Sequence, residues 1–84
     1  MNQRTKPVRL RYFAILREQR GVAGETVETE AATAGELYRE IAFKYGFTLA
    51  EDRVGVAINN AFARWDRKLA ADDTVVFIPP VAGG

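Results

Sequence analysis

The strongest local pattern in this chain is a single apolar stripe at helical spacing. Ala34, Leu37, Tyr38, Ile41, Ala42 and Tyr45 fall on one face of a helix. Thr33 and Glu36 form a Thr-x-x-Glu capping box at its start. Gly46 stands where a left-handed C-cap belongs, with Phe47 placed to fold back onto the last turn. These signals predict one helix over residues 34–45, its tyrosines read as core. A stripe that wide must be covered, and what surrounds it alternates like strands.

Val8 to Phe13 alternates with period two. Val8, Leu10 and Tyr12 share one face, and Arg9, Arg11 and Phe13 the other. Ala14 to Arg20 reads as a short helical turn stopped near Gly21, and Glu25 to Glu30 as a second strand. Beyond the helix, Arg53 to Asn59 reads as a third strand with Val54, Val56 and Ile58 on one face. Asn59-Asn60 marks a turn. Phe62 to Leu69 reads as an irregular extended region with Trp65 assigned to the core. Ala71-Asp72-Asp73 reads as a turn before a last strand, Thr74 to Ile78. A hairpin, a helix across a mixed sheet and further strands make an α+β arrangement, the β-grasp (ubiquitin-like) layout. In that layout the first and last strands lie side by side and parallel at the centre.

With 84 residues there is room for one domain. No cysteine and no histidine leave no thiolate nucleophile, imidazole base or usual zinc site. The three lysines, Lys6, Lys44 and Lys68, follow no glycine-rich loop, so no phosphate-binding loop is present. The acid pairs Glu51-Asp52 and Asp72-Asp73 read as solvated turn residues rather than metal ligands. A self-sufficient enzyme is not expected. Val75 to Ala82, the longest apolar stretch, is too short to span a membrane, and no signal-peptide pattern opens the chain, so the expected compartment is the cytoplasm. Residues 1–20 carry six Lys or Arg against Glu18, and residues 21–52 carry seven acids against Arg39 and Lys44. That polarity suits a charged protein partner or simply solvated faces. A net charge of +1 and no RNA-binding aromatic signature argue against nucleic acid.

The end is Ile78-Pro79-Pro80-Val81-Ala82-Gly83-Gly84. Neither proline can donate to a strand ladder, so the ladder should stop after Ile78. Two final glycines lack Cβ atoms and can thread a narrow channel. The expected division is a domain over residues 1–78 and a flexible tail over 79–84. By itself a Gly-Gly end is a weak motif that a frayed terminus would also give, and it gains weight only after a β-grasp pattern.

These residues resemble the small subunit of molybdopterin synthase, a ubiquitin-like sulfur-carrier family, from Val8 to Gly84. The most specific parts are Tyr12-Phe13-Ala14-x-Leu16-Arg17-Glu18, Ile58-Asn59, and Phe77 to Gly84 with its Pro-Pro-x-x-Gly-Gly ending. The lead is a few residues longer than usual in that family, and Ile78 stands where an aromatic is common.

The resemblance implies a mechanism. An E1-like adenylating enzyme would use ATP to activate Gly84, and a sulfur donor system would convert it to a thiocarboxylate. The tail would enter the synthase large subunit and pass sulfur to cyclic pyranopterin monophosphate, forming molybdopterin. The chain itself would bind no cofactor and no metal, and catalytic side chains would belong to the partners. Phe13, Phe62 and Ile78 would form the apolar docking patch, with Arg11 and Arg17 at its rim. A thiamine-type sulfur carrier, a ubiquitin-like protein modifier and a passive β-grasp interaction module are the alternative readings.

Overall fold

A computed structural model describes residues 4–80. The elements are β1 (Lys6–Tyr12), α1 (Ala14–Arg20), β2 (Gly24–Thr29), α2 (Ala34–Tyr45), a 3-10 turn (Glu51–Arg53), β3 (Gly55–Ile58), β4 (Ala61–Ala63) and β5 (Thr74–Ile78). The strands form one sheet in the order β2-β1-β5-β3-β4, with β1 and β5 parallel and the other pairs antiparallel. This is the ubiquitin-like β-grasp, α+β as the sequence predicts, with β1 and β5 flanked on both sides.

Period two divides the sheet. Val8, Leu10 and Tyr12 of β1, Val75 and Phe77 of β5, and Val56 and Ile58 of β3 are buried on one face. Onto it α2 lays Ala34, Leu37, Tyr38 and Ile41, all buried. Aromatic packing binds the layers: Tyr38 meets Phe77 edge-on at 5.0 Å between ring centroids and Trp65 at 5.4 Å. Such pairs add about 0.5–1.5 kcal/mol each beyond their burial. Trp65 is half-buried against the core, as its sequence context predicts.

The helix boundaries are local chemistry. Thr33 accepts from the Glu36 N–H, and Gly46 sits at φ 73° with its N–H on the Ala42 carbonyl. The Glu36 carboxylate reaches back to the Ala32 N–H at 2.9 Å, one residue before the cap position a strict box would use. Phe47 folds back, its ring 6.1 Å from Tyr38.

Three expectations need correction. Arg53 is not strand: the chain turns through Glu51–Arg53, and β3 begins at Gly55. Phe13 lies just past β1, as the N-cap of α1. Asp73 is not a solvated turn residue but is buried. Its carboxylate accepts from the Ala70 N–H at 2.8 Å, Asn59 Nδ2 at 2.9 Å and Arg67 Nη1 at 3.1 Å. Asn59 and Asn60, at φ 54° and 72°, make the tight β3–β4 turn that brings the Asn59 amide there.

Burial pushes the Asp73 carboxyl upward, but its three donors and the Arg67 charge outweigh this and hold it below the ordinary carboxylate value. A depressed folded-state pKa gives stability that is present above the unfolded value of about 3.9 and lost as pH falls through the folded value. Asp73→Asn should therefore cost about 1–3 kcal/mol at pH 7 and flatten the acid limb of the stability profile. Urea unfolding of both proteins across the acid range checks this. An acid limb as steep in the variant as in the wild type would contradict it.

Candidate functional site

The second face of the sheet is left open. Across it, the β-ladder sets Phe62 of β4, Ala57 of β3, Val76 of β5 and Arg11 of β1 in one row. Phe62 is 86% exposed, and Ala57 and Val76 are half-buried. Three strand spacings separate Phe62 from Arg11, about 14 Å, bridged by the two small apolar residues. Toward the end of β5, Ile78 lies opposite Gly55 and is half-buried. Tyr12 pairs with Phe77, so Phe13 and Ile78 come level one residue further on.

Phe13 is 46% exposed because the backbone turns sharply after it. Ala14 sits at φ 51°, in the left-handed region. An L-residue there costs roughly 1–2 kcal/mol. Leu16 and Arg17 donate their N–H groups to the Phe13 carbonyl, at 3.1 and 3.4 Å. Arg17 is exposed one helical turn beyond Phe13. A further set of contacts fixes α1 against the sheet: Arg20 pairs with Glu25 at 2.7 Å, Tyr12 donates to Glu25 at 2.7 Å, and the Arg20 guanidinium lies 3.9 Å from the Tyr45 ring centre. The Arg20 hydrogen bond holds the Glu25 carboxyl below its ordinary value, while burial drives the Tyr12 hydroxyl well above its own.

The five surface residues singled out from sequence are therefore not equivalent. Ile78, Phe62 and Arg11 belong to the open sheet face, while Phe13 stands just past the end of β1 and Arg17 on α1. Val76 and Ala57 join the apolar strip and were missed, although the alternation of Thr74-Val76-Ile78 and Gly55-Ala57 carries the signal. Pro79 is buried and Pro80 exposed. Val81, Ala82, Gly83 and Gly84 lie outside the described residues. Among the described residues, no group of three potential metal-ligating side chains comes together, and no helix is long and apolar enough to cross a membrane.

An apolar strip on an open sheet face, beside the strand that leads to Gly-Gly, can be compared with known proteins. The sequence profile of the ThiS family matches residues 10–84. The chain belongs to the ThiS family. The match to this ThiS-family chain begins within β1 and includes the Gly-Gly ending. The molybdopterin synthase sulfur carrier subunit of Escherichia coli (strain K12) is 28% identical over 80 residues, covering 92% of this chain and 99% of that protein. A putative molybdopterin converting factor, subunit 1, from Pyrococcus furiosus is 31% identical, with a TM-score of 0.75 over 90% of this chain and 99% of that one. The HVO 2177 protein of Haloferax volcanii is 29% identical, with a TM-score of 0.81, covering 100% of this chain and 92% of that one.

Proposed function

We propose that this ThiS-family chain is a sulfur carrier for molybdopterin synthesis, with the Gly84 carboxylate as its working group. The observation that carries the reading is the placement of the apolar strip, Phe62-Ala57-Val76 with Ile78 and Phe13, beside the strand that leads through Pro79-Pro80 to Gly83-Gly84. A docking surface and a transferable end would then be read by one partner. Membership of the ThiS family and likeness to a named sulfur carrier subunit support it.

The chemistry needs partners. A carboxylate is anionic and resonance-stabilised, hence a poor electrophile. An E1-like adenylating enzyme makes it attack the α-phosphorus of ATP, releasing pyrophosphate and leaving an acyl-adenylate. Hydrosulfide delivered by a donor system then displaces AMP, forming a C–S bond as the C–O bond to AMP breaks. The resulting thiocarboxylate is carried into the synthase large subunit, where its sulfur bonds to a carbon of cyclic pyranopterin monophosphate and water cleaves the thioester so formed, leaving sulfur on the pterin and returning the Gly84 carboxylate. Phe13, Phe62 and Ile78 seat the domain on each protein partner, and Arg11 and Arg17 contribute at the rim. This chain supplies no cofactor, and ATP is spent by the activating partner.

Lengthening the chain separates the proposed role of Gly84 from mere presence of a terminus. One added residue turns the Gly84 carboxylate into an amide carbonyl and moves the new carboxylate outward by about 3.3–3.6 Å. Added Gly should impair sulfur transfer, and added Leu both adenylation and transfer, because a side chain would meet a channel sized for glycine. Wild-type rates in both steps for an untrimmed +Leu protein would contradict the proposal.

A further inference from the structure

Arg9 and Arg11 project side by side from β1 onto the open sheet face, and both are exposed. Among the described residues, neither makes a side-chain hydrogen bond or ion pair. By contrast, Arg20 is engaged with Glu25, Arg39 with Glu51 and Arg67 with Asp73. The two guanidinium groups flank a shallow groove of about 470 Å³, whose walls include Gly24, Glu25 and Thr26 of β2 and Thr74 of β5, the Glu25 carboxylate being held by Arg20 and Tyr12. Thr26 and Thr74 stand on either side of Arg9 in the ladder, and Gly24 lies opposite Arg11. No side chain fills the place across from Arg11, and none fits easily. A Cβ on Gly24 would come within 2.9 Å of the Leu10 carbonyl oxygen, so the groove stays open through backbone packing.

The groove is continuous with the apolar strip, because Val76 is the neighbour of Arg11 on the other side. We infer that Arg9 and Arg11 receive an acidic segment of the synthase large subunit, with carboxylates set beside its apolar contact to Phe62 and Val76. This deepens the carrier reading and rests on it. The two arginines are i and i+2 on one strand, about 6.6–6.8 Å apart. That spacing matches two carboxylates at alternate positions of an extended segment. Each guanidinium can hold a carboxylate through two parallel N–H···O bonds.

Charge placement favours a protein carboxylate over a polyanion. Among the described residues, the strands of the open face set Arg9 and Arg11 as adjacent arginines, and Glu28 stands opposite Pro7, one row beyond Arg9 and Thr26. A phosphodiester chain continuing along β2 would run into that acid, whereas a short acidic segment ends before it.

The test is a calorimetric titration of the full chain against the synthase large subunit from the same genome, at low and at high salt. Wild type is compared with R9E/R11E, R9Q/R11Q and Phe62→Asp, each first checked for an unchanged thermal melt. Because both arginines are exposed, the charge-reversed protein should fold normally. R9E/R11E should bind about 10- to 100-fold more weakly, R9Q/R11Q less so, and both should lose much of the salt dependence shown by wild type. If Phe62→Asp abolishes binding while R9E/R11E binds like wild type with the same salt dependence, the acidic-segment inference is overturned and the docking reading stands. If Phe62→Asp also binds normally, the docking reading falls and this inference with it. Inorganic phosphate is the small-anion control. If it saturates the groove and R9E/R11E loses only that binding, the site takes a free anion and the inference is overturned.

Discussion

Removing Gly84 should reduce ATP–pyrophosphate exchange with the adenylating enzyme to background while leaving the domain folded. The last core residue is Phe77 and the last buried one among the described residues is Pro79, five residues before the end of the sequence. The melting temperature should stay within the roughly 4–8 °C that 1 kcal/mol would move for a domain of this size. The truncated chain still ends in a carboxylate, that of Gly83, but withdrawn by about 3.3–3.6 Å. A misplacement of even ~1 Å can cost about 100-fold in a reaction that needs near-attack geometry. Exchange at the wild-type rate in the truncated protein would remove Gly84 from the mechanism.

Phe62→Asp should weaken binding to the large subunit by about 100-fold or more, with almost no loss of stability. At 86% exposure, Phe62 contributes little to the core, and surface changes of this kind stay within about 0.5 kcal/mol. Burying an unpaired carboxylate in an apolar interface costs roughly 3 kcal/mol or more, which is the 100-fold. Phe43→Asp is the matched control. Phe43 is 92% exposed on α2, which packs on the opposite face of the sheet, so its replacement should leave binding unchanged. Equal losses from both variants would show that the open sheet face is not the docking surface.

Much of this fold was legible because its signals are local. The bounds of α2 follow from Thr33 and Gly46, which act on neighbouring backbone groups. The same holds for α1, stopped by Gly21 at φ 91°. Alternation located β1 and β5, but alternation reports burial and not hydrogen bonding. Val54 is buried in step with Val56 and Ile58, so Arg53 and Val54 looked like strand although Glu51–Arg53 forms a 3-10 turn.

Asp73 was misread for a different reason. Its environment is assembled from Asn59, Arg67 and Ala70, and an acid in a turn motif carries no mark of such partners. The site divides along the same line. Phe13, Phe62, Ile78 and Arg11 were grouped through the family resemblance, and the ladder register supplies the physical reason that Phe62, Ile78 and Arg11 share a face. Register also brings Val76 and Ala57 between Phe62 and Arg11, and sets Arg9 beside the groove. The role given to Gly84 came from the resemblance, since Gly83-Gly84 alone is a weak motif.

The most direct measurement is the intact mass of the protein isolated from its own host, followed by fragmentation of the C-terminal peptide. The sulfur-carrier account predicts a species heavier by one oxygen-to-sulfur exchange, localised to Gly84 and lost when the adenylating enzyme is absent. A protein carrying only the unmodified carboxylate while the adenylating enzyme and donor system are active, or one found with Gly84 joined to lysines of other proteins, would contradict it.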